Sequence, residues 1–186
     1  MDADLETKLR ELVDRDAIHQ VMLRYCRGLD RLDRALVRSC YWDDAIEDHG
    51  SYIGQPDDFI DWADQTTLAH LYTQHAIMNH FCELDGDDAY TETYYQFTGV
   101  RETPPHFIST GRYVDHFQKR PGPNGPEWKI ADRVCLIEGK FDIADSAMNA
   151  LYPSPYSADE PCQETRDGND VSYHRPPVPR RPRQLA

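Results

Sequence analysis

The segment TQHAIMNHFCELDGDDAYTETYYQF, residues 73–97, decides the fold. From Thr73 the hydrophobic pattern has a period of two: His75, Ile77, Asn79 and Phe81 fall on one strand face, and Ala76, Met78, His80 and Cys82 on the other. Leu84-Asp-Gly-Asp is a tight hairpin turn. The return strand, Ala89 to Phe97, is rich in Thr and Tyr, which suit a pleated surface. Two further strands follow, His106 to Gln118 and Trp128 to Glu138, separated by a Pro- and Gly-rich loop from Lys119 to Glu127.

Upstream the period changes to that of a helix. Leu5, Leu9, Leu12, Val13, Ile18, Met22, Cys26 and Leu29 form one apolar stripe, with fraying expected at Gly28 and Asp30. A shorter helix is expected over Leu32–Tyr41, a short strand over Ala45–Ile53, and a helix opened by Pro56 that carries Phe59, Ile60 and Trp62. Helices first and an antiparallel meander after them predict an α+β layer fold whose N-terminal helices cover one mouth of a strongly curved, mainly antiparallel sheet. We place this domain at residues 1–150 and a Pro/Arg-rich C-terminal extension at 151–186. Seven of the thirteen prolines lie beyond Tyr152, so the extension needs a surface to lie against, on the domain or on a neighbouring subunit.

The 186 residues suit one domain, with 39% hydrophobic, 28% charged and 11% aromatic side chains. A net charge of −13 excludes nucleic acid and anionic membrane surfaces as expected partners, because both are bound through clustered Lys and Arg. The acidic N-terminus lacks the basic and apolar regions of a signal peptide, so a cytoplasmic location is expected. Five widely spaced cysteines without a C-x-x-C pair read as reduced core thiols.

Several phrases resemble the SnoaL-like branch of the nuclear-transport-factor-like superfamily. They are Asp16-Ala-Ile-His-Gln, Tyr25-Cys-Arg-Gly-Leu-Asp30, Tyr41-Trp-Asp-Asp-Ala, Thr73-Gln-His75-Ala-Ile-Met-Asn79, Asp85-Gly-Asp87 and Trp128-Lys-Ile-Ala-Asp-Arg133. Within that branch the chain is similar to the bile-acid 7α-dehydratase, scytalone dehydratase and hexachlorocyclohexane dehydrochlorinase families. The resemblance implies a catalytic Asp30–His75 pair, with Tyr25 and Arg133 matching further catalytic positions. It also implies a cone-shaped α+β barrel and homo-oligomers, a trimer foremost. One departure stands out: Thr98 occupies the region where the bile-acid enzymes carry another aspartate, which leaves the leaving group open.

The residues bear both functional and bland readings. Asp30 is a helix-end turn residue or a paired carboxylate facing the core. His75 is a core histidine or, with Asp30, a general base. Tyr25 packs under the helix or donates its phenol proton; Arg133 pairs with surface acids or clamps a developing oxyanion. Asn79, Trp42, Tyr52, Tyr94, Gln96 and Phe107 are the expected substrate-binding residues, as lining or as core. Glu47, Asp48 and His49 invite a metal reading, but alternation along a strand splits them between faces, so no metal is expected. No phosphate loop or nucleophile elbow occurs, so no cofactor is expected. The function expected is a dehydratase-type lyase acting on a hydrophobic, aromatic or polycyclic substrate. Its rivals are retro-aldol cleavage or aldol cyclisation at the same site, and a non-catalytic ligand-binding or partner-docking module.

Overall fold

A computed structural model of the chain describes residues 3–144 and 166–177. Helix α1 spans Ala3–Arg31 and α2 Arg34–Arg38, followed by strands β1 Tyr41–Asp48 and β2 Ile53–Gly54. Helix α3 is Pro56–Leu68, with Pro56 in its first turn as expected. The meander is β3 Tyr72–Asp85, β4 Asp88–Val100, β5 His106–Gly122 and β6 Gly125–Ile143. The six strands form one sheet in the order β2-β1-β6-β5-β4-β3; β1 runs parallel to β6 and every other pairing is antiparallel. The sheet is open, with β2 and β3 at its edges, so it wraps its core without closing into a barrel. Among the described residues no helix is long and apolar enough to cross a membrane.

The boundaries differ from expectation for identifiable reasons. Gly28 does not fray α1. It lets α2 approach, since a Cβ there would lie 2.6 Å from Val37 Cγ2. The reversal comes at Leu32, in the left-handed region, and Asp33 then caps α2 through the Leu36 amide. Tyr41 starts β1 rather than ending a helix, and Asp43 and Asp44 stay within that strand. The expected loop over Lys119–Glu127 is instead a long hairpin: Pro121 pairs with Pro126, and Gly122 with Gly125. The first half of the α1 stripe has no core to meet, so Leu5, Leu9, Leu12 and Val13 are exposed, whereas Ile18, Met22, Cys26 and Leu29 are buried.

Between the helices and the sheet, an apolar core surrounds an ion pair. Arg133 of β6 and Asp115 of β5 are both fully buried, with Nε to Oδ1 at 2.6 Å and Nη2 to Oδ2 at 2.8 Å. The guanidinium lies 4.1 Å from the Tyr25 ring centroid and 4.4 Å from that of Tyr113. This bidentate geometry between aromatic faces is what a buried arginine requires to offset its desolvation.

Residues 166–177 return to the domain where α1, α3 and β3 converge. Arg166 donates to the carbonyls of Thr67 (2.9 Å), His70 (2.7 Å) and Asp30 (3.3 Å), and to Thr73 Oγ1 (3.2 Å). Tyr173 donates to Asp33 at 3.0 Å, and Arg27 covers its ring at 4.5 Å. The remainder of the expected extension, and Cys162, lie outside the described residues.

Removing one partner of the buried pair leaves the other charge stranded. Arg133→Met is therefore expected to destabilise the fold by about 3–5 kcal/mol, read from urea denaturation, with Asp115→Asn added to it recovering part of the loss. An unchanged midpoint in Arg133→Met would contradict the assigned pairing.

Candidate active site

The C-terminal end of α1 and the start of β3 meet through a single carboxylate. Asp30 Oδ1 lies 2.7 Å from His75 Nδ1, and Oδ2 accepts the His75 backbone N–H at 2.8 Å. Both side chains are mostly shielded, at 13% and 9% exposure. With both oxygens engaged, the carboxylate fixes the imidazole in position and assigns Nδ1 as its donor, leaving Nε2 as the acceptor.

The His75 ring reaches a cavity of about 160 Å³ between α3 and the inner sheet face. Apolar and aromatic groups dominate its wall: Leu29, Phe59, Trp62, Ala63, Tyr95, Phe97, Phe107, Tyr113 and Ile137. Thr66, Thr67 and Ser109 add hydroxyls. Phe97 packs against the His75 ring at 4.7 Å. A larger groove of about 770 Å³ lies between α1 and the β5–β6 turn; it is edged by Asp14, Arg24, Lys119 and Glu127 and lies away from the dyad.

The cavity carries a second histidine, which the sequence reading weighed only as a metal ligand. His49 Nδ1 is 2.7 Å from Glu47 Oε1, and Glu47 Oε2 accepts the Tyr41 hydroxyl at 2.6 Å. Glu47 is 0% exposed. Burial alone would push His49 down, but its contacts with Cys135 and Glu47 overcome that and raise its pKa to about 9. The signal was present in the sequence: Glu47 and His49 are two apart, so they share a strand face, while Asp48 points away.

Of the expected site residues, His75 and Phe107 line this cavity, Asp30 reaches it through His75, and the others do not line it. Tyr25 lies one layer behind, its ring 5.6 Å from that of Tyr113. Among the described residues its buried hydroxyl has no hydrogen-bond partner, and burial together with the Glu47 charge holds its pKa well above the usual value. It is a poor proton donor as placed. Arg133 points inward but is taken up by Asp115, so it is a core residue rather than an oxyanion clamp.

The remaining corrections come from strand register. A bulge between Ile77 and His80 adds a residue to β3, so Asn79 is exposed and Phe81 is 61% exposed. The same bulge sets His75 opposite Phe97, which puts Tyr95 and Phe97 on the inner face and Tyr94 and Gln96 on the outer one. Tyr94 lies beneath Arg112 at 5.8 Å. Trp42 also faces outward, between Arg120 (5.3 Å) and Lys129 (4.7 Å). Tyr52 packs behind the cavity on Trp62 at 5.8 Å, with its hydroxyl donated to the Gln55 carbonyl.

The sequence profile of the SnoaL-like domain matches residues 10–134. The chain belongs to the SnoaL-like domain family. No curated protein sequence matches this SnoaL-like chain. Solved structures with the same fold include LinA, at 20% identity and a TM-score of 0.67, covering 74% of this chain and 95% of LinA. A LinA-type3 hexachlorocyclohexane dehydrochlorinase from Novosphingobium barchaimii gives 19% identity and a TM-score of 0.66, covering 74% and 95% of the two chains. A scytalone dehydratase-type protein from Novosphingobium aromaticivorans gives 18% and 0.64, covering 72% and 90%.

The raised His49 fixes the sign of a pH effect. His49, held up by Cys135 and then by Glu47, contributes stability in full below the unfolded-chain value of 6.5 and loses it as pH rises through about 9, and Glu47→Gln removes the Glu47 share. Thermal melts from pH 6 to 9 should therefore show a steeper loss in the wild type than in Glu47→Gln. Parallel curves would contradict the pairing.

Proposed function

We propose that this SnoaL-like chain is a cofactor-independent lyase in which His75 removes a proton α to a carbonyl of a small cyclic substrate and a β-substituent leaves. The observation that carries the reading is the two-point grip of Asp30 on His75 at the wall of an apolar cavity. A carboxylate on Nδ1 holds the tautomer whose Nε2 can accept a proton, and it stabilises the imidazolium formed by that step. Low polarity around the pair strengthens that stabilisation.

Cavity size supports a narrower substrate class than the sequence reading. About 160 Å³ is close to the roughly 150 Å³ engineered cavity that accommodates benzene. It suits one ring rather than a polycyclic skeleton. The lining of Phe, Tyr and Trp favours an aromatic or cyclic body, and the family membership is consistent with lyase or isomerase chemistry at this position.

The test uses 3-hydroxycyclohexanone, a one-ring β-hydroxy ketone. The wild type is expected to form cyclohexenone, and Asp30→Asn to lower turnover by about 10²–10⁴-fold, the usual worth of general acid–base assistance, with the melting temperature little changed. Open-chain keto-aldehyde in place of cyclohexenone would assign retro-aldol cleavage to the same base. Wild-type turnover in Asp30→Asn would remove the dyad from the mechanism.

A further inference from the structure

An elimination needs an acid as well as a base when hydroxide is the leaving group, and both acid candidates expected from the sequence are displaced from the cavity. Tyr25 is walled off behind Tyr113, and Arg133 is fully buried against Asp115, Tyr41 and Met22. We propose, resting on the lyase reading above, that His49 is the general acid: a protonated imidazole, positioned by Glu47, that donates its proton to the departing oxygen while His75 takes the α-proton.

Charge balance in the core argues for the proton on His49. Asp115 and Arg133 neutralise one another through two hydrogen bonds. Glu47, fully buried, then remains as a negative charge, and its other oxygen is engaged by a neutral phenol, Tyr41. Burying a carboxylate without a counter-charge is strongly unfavourable, and the cation in direct contact with it is His49. The other groups facing this histidine do not compete for that role. They are Tyr113 and Asp115 from β5 and Cys135 from β6. Helix α3 contributes the Phe59 and Trp62 rings, 5.2 and 5.5 Å away. With Nδ1 given to Glu47, the donor left for a substrate oxygen in the cavity is Nε2.

The two histidines thus sit in opposite states on one cavity wall set. His75 Nε2 accepts the α-proton, the C–H electrons form the C=C bond, the C–O bond breaks, and the His49 proton converts the departing hydroxide to water. Solvent returns the proton from His75 to His49, so the net change is hydroxy ketone to enone plus water. Glu47 acts through His49 and is a positioning residue.

Leaving-group dependence tests this. His49→Gln should lower water elimination from 3-hydroxycyclohexanone by at least 100-fold. Elimination of acetate from 3-acetoxycyclohexanone, whose leaving group needs no proton, should fall by less than tenfold. His75→Gln should lower both alike. Should His49→Gln strand Glu47 and fail to fold, the Glu47→Gln/His49→Gln double variant is expected to give the same contrast. ¹⁵N-histidine NMR supplies a readout independent of substrate: His49 should remain imidazolium at pH 8 in the wild type and be neutral there in Glu47→Gln. Equal losses on the two probes, or a neutral wild-type His49, would overturn the proposal while leaving the His75 base intact. A wild type inert on both probes would overturn the lyase reading and this one with it.

Discussion

The two hydrogen bonds from Asp30 to His75 tie the end of the long helix to the first strand of the meander, across 45 residues of sequence. That contact sets where the helix layer stops and which way the first β3 residues face. It engages each oxygen of the carboxylate once and leaves the group little exposed. The C-terminal segment reinforces the junction, because Arg166 collects the carbonyls of Asp30, Thr67 and His70, which end α1 and α3 and would otherwise need other donors. Site and scaffold therefore share one joint: what orients the base also closes the helix layer over the sheet.

The interior is organised by charge as much as by packing. Two acid–base units, Arg133–Asp115 and His49–Glu47, lie within an otherwise apolar and aromatic volume. The first is closed off on all sides and serves the fold. The second has one face on the cavity, and that difference in access separates a structural ion pair from a chemically useful one. Tyr41 links the two, donating to Glu47 and lying 3.5 Å from Arg133 Nη1.

The helix-then-meander order, the hairpin at Asp85–Asp88 and the Asp30–His75 juxtaposition could be read from periodicity and family phrases. The facing of several strand residues could not, because two bulges reverse it. Carried straight from Asp85 opposite Asp88, the hairpin register sets His75 opposite Thr98 and turns Tyr94 and Gln96 inward; the inserted residue in β3 moves His75 opposite Phe97 instead. In β6 the register shift at Ala131 moves Arg133 from opposite Val114 to opposite Asp115, from the outer face into the core. A single added residue flips every side chain beyond it, and such insertions leave no mark in a hydrophobic pattern. Glu47 and His49 were legible as a same-face pair, but the cluster was weighed only for metal binding, and rejecting that left the pair unread.

The central claim is that Asp30 holds His75 as a base aimed at the cavity. The most direct measurement is the ¹⁵N chemical shift of the two ring nitrogens of neutral His75, resolved by histidine labelling. The account predicts a protonated, pyrrole-type Nδ1 and an unprotonated, pyridine-type Nε2, with the preference lost in Asp30→Asn. A proton on Nε2 in the wild type would mean the base has no lone pair toward the cavity, and the account would fail.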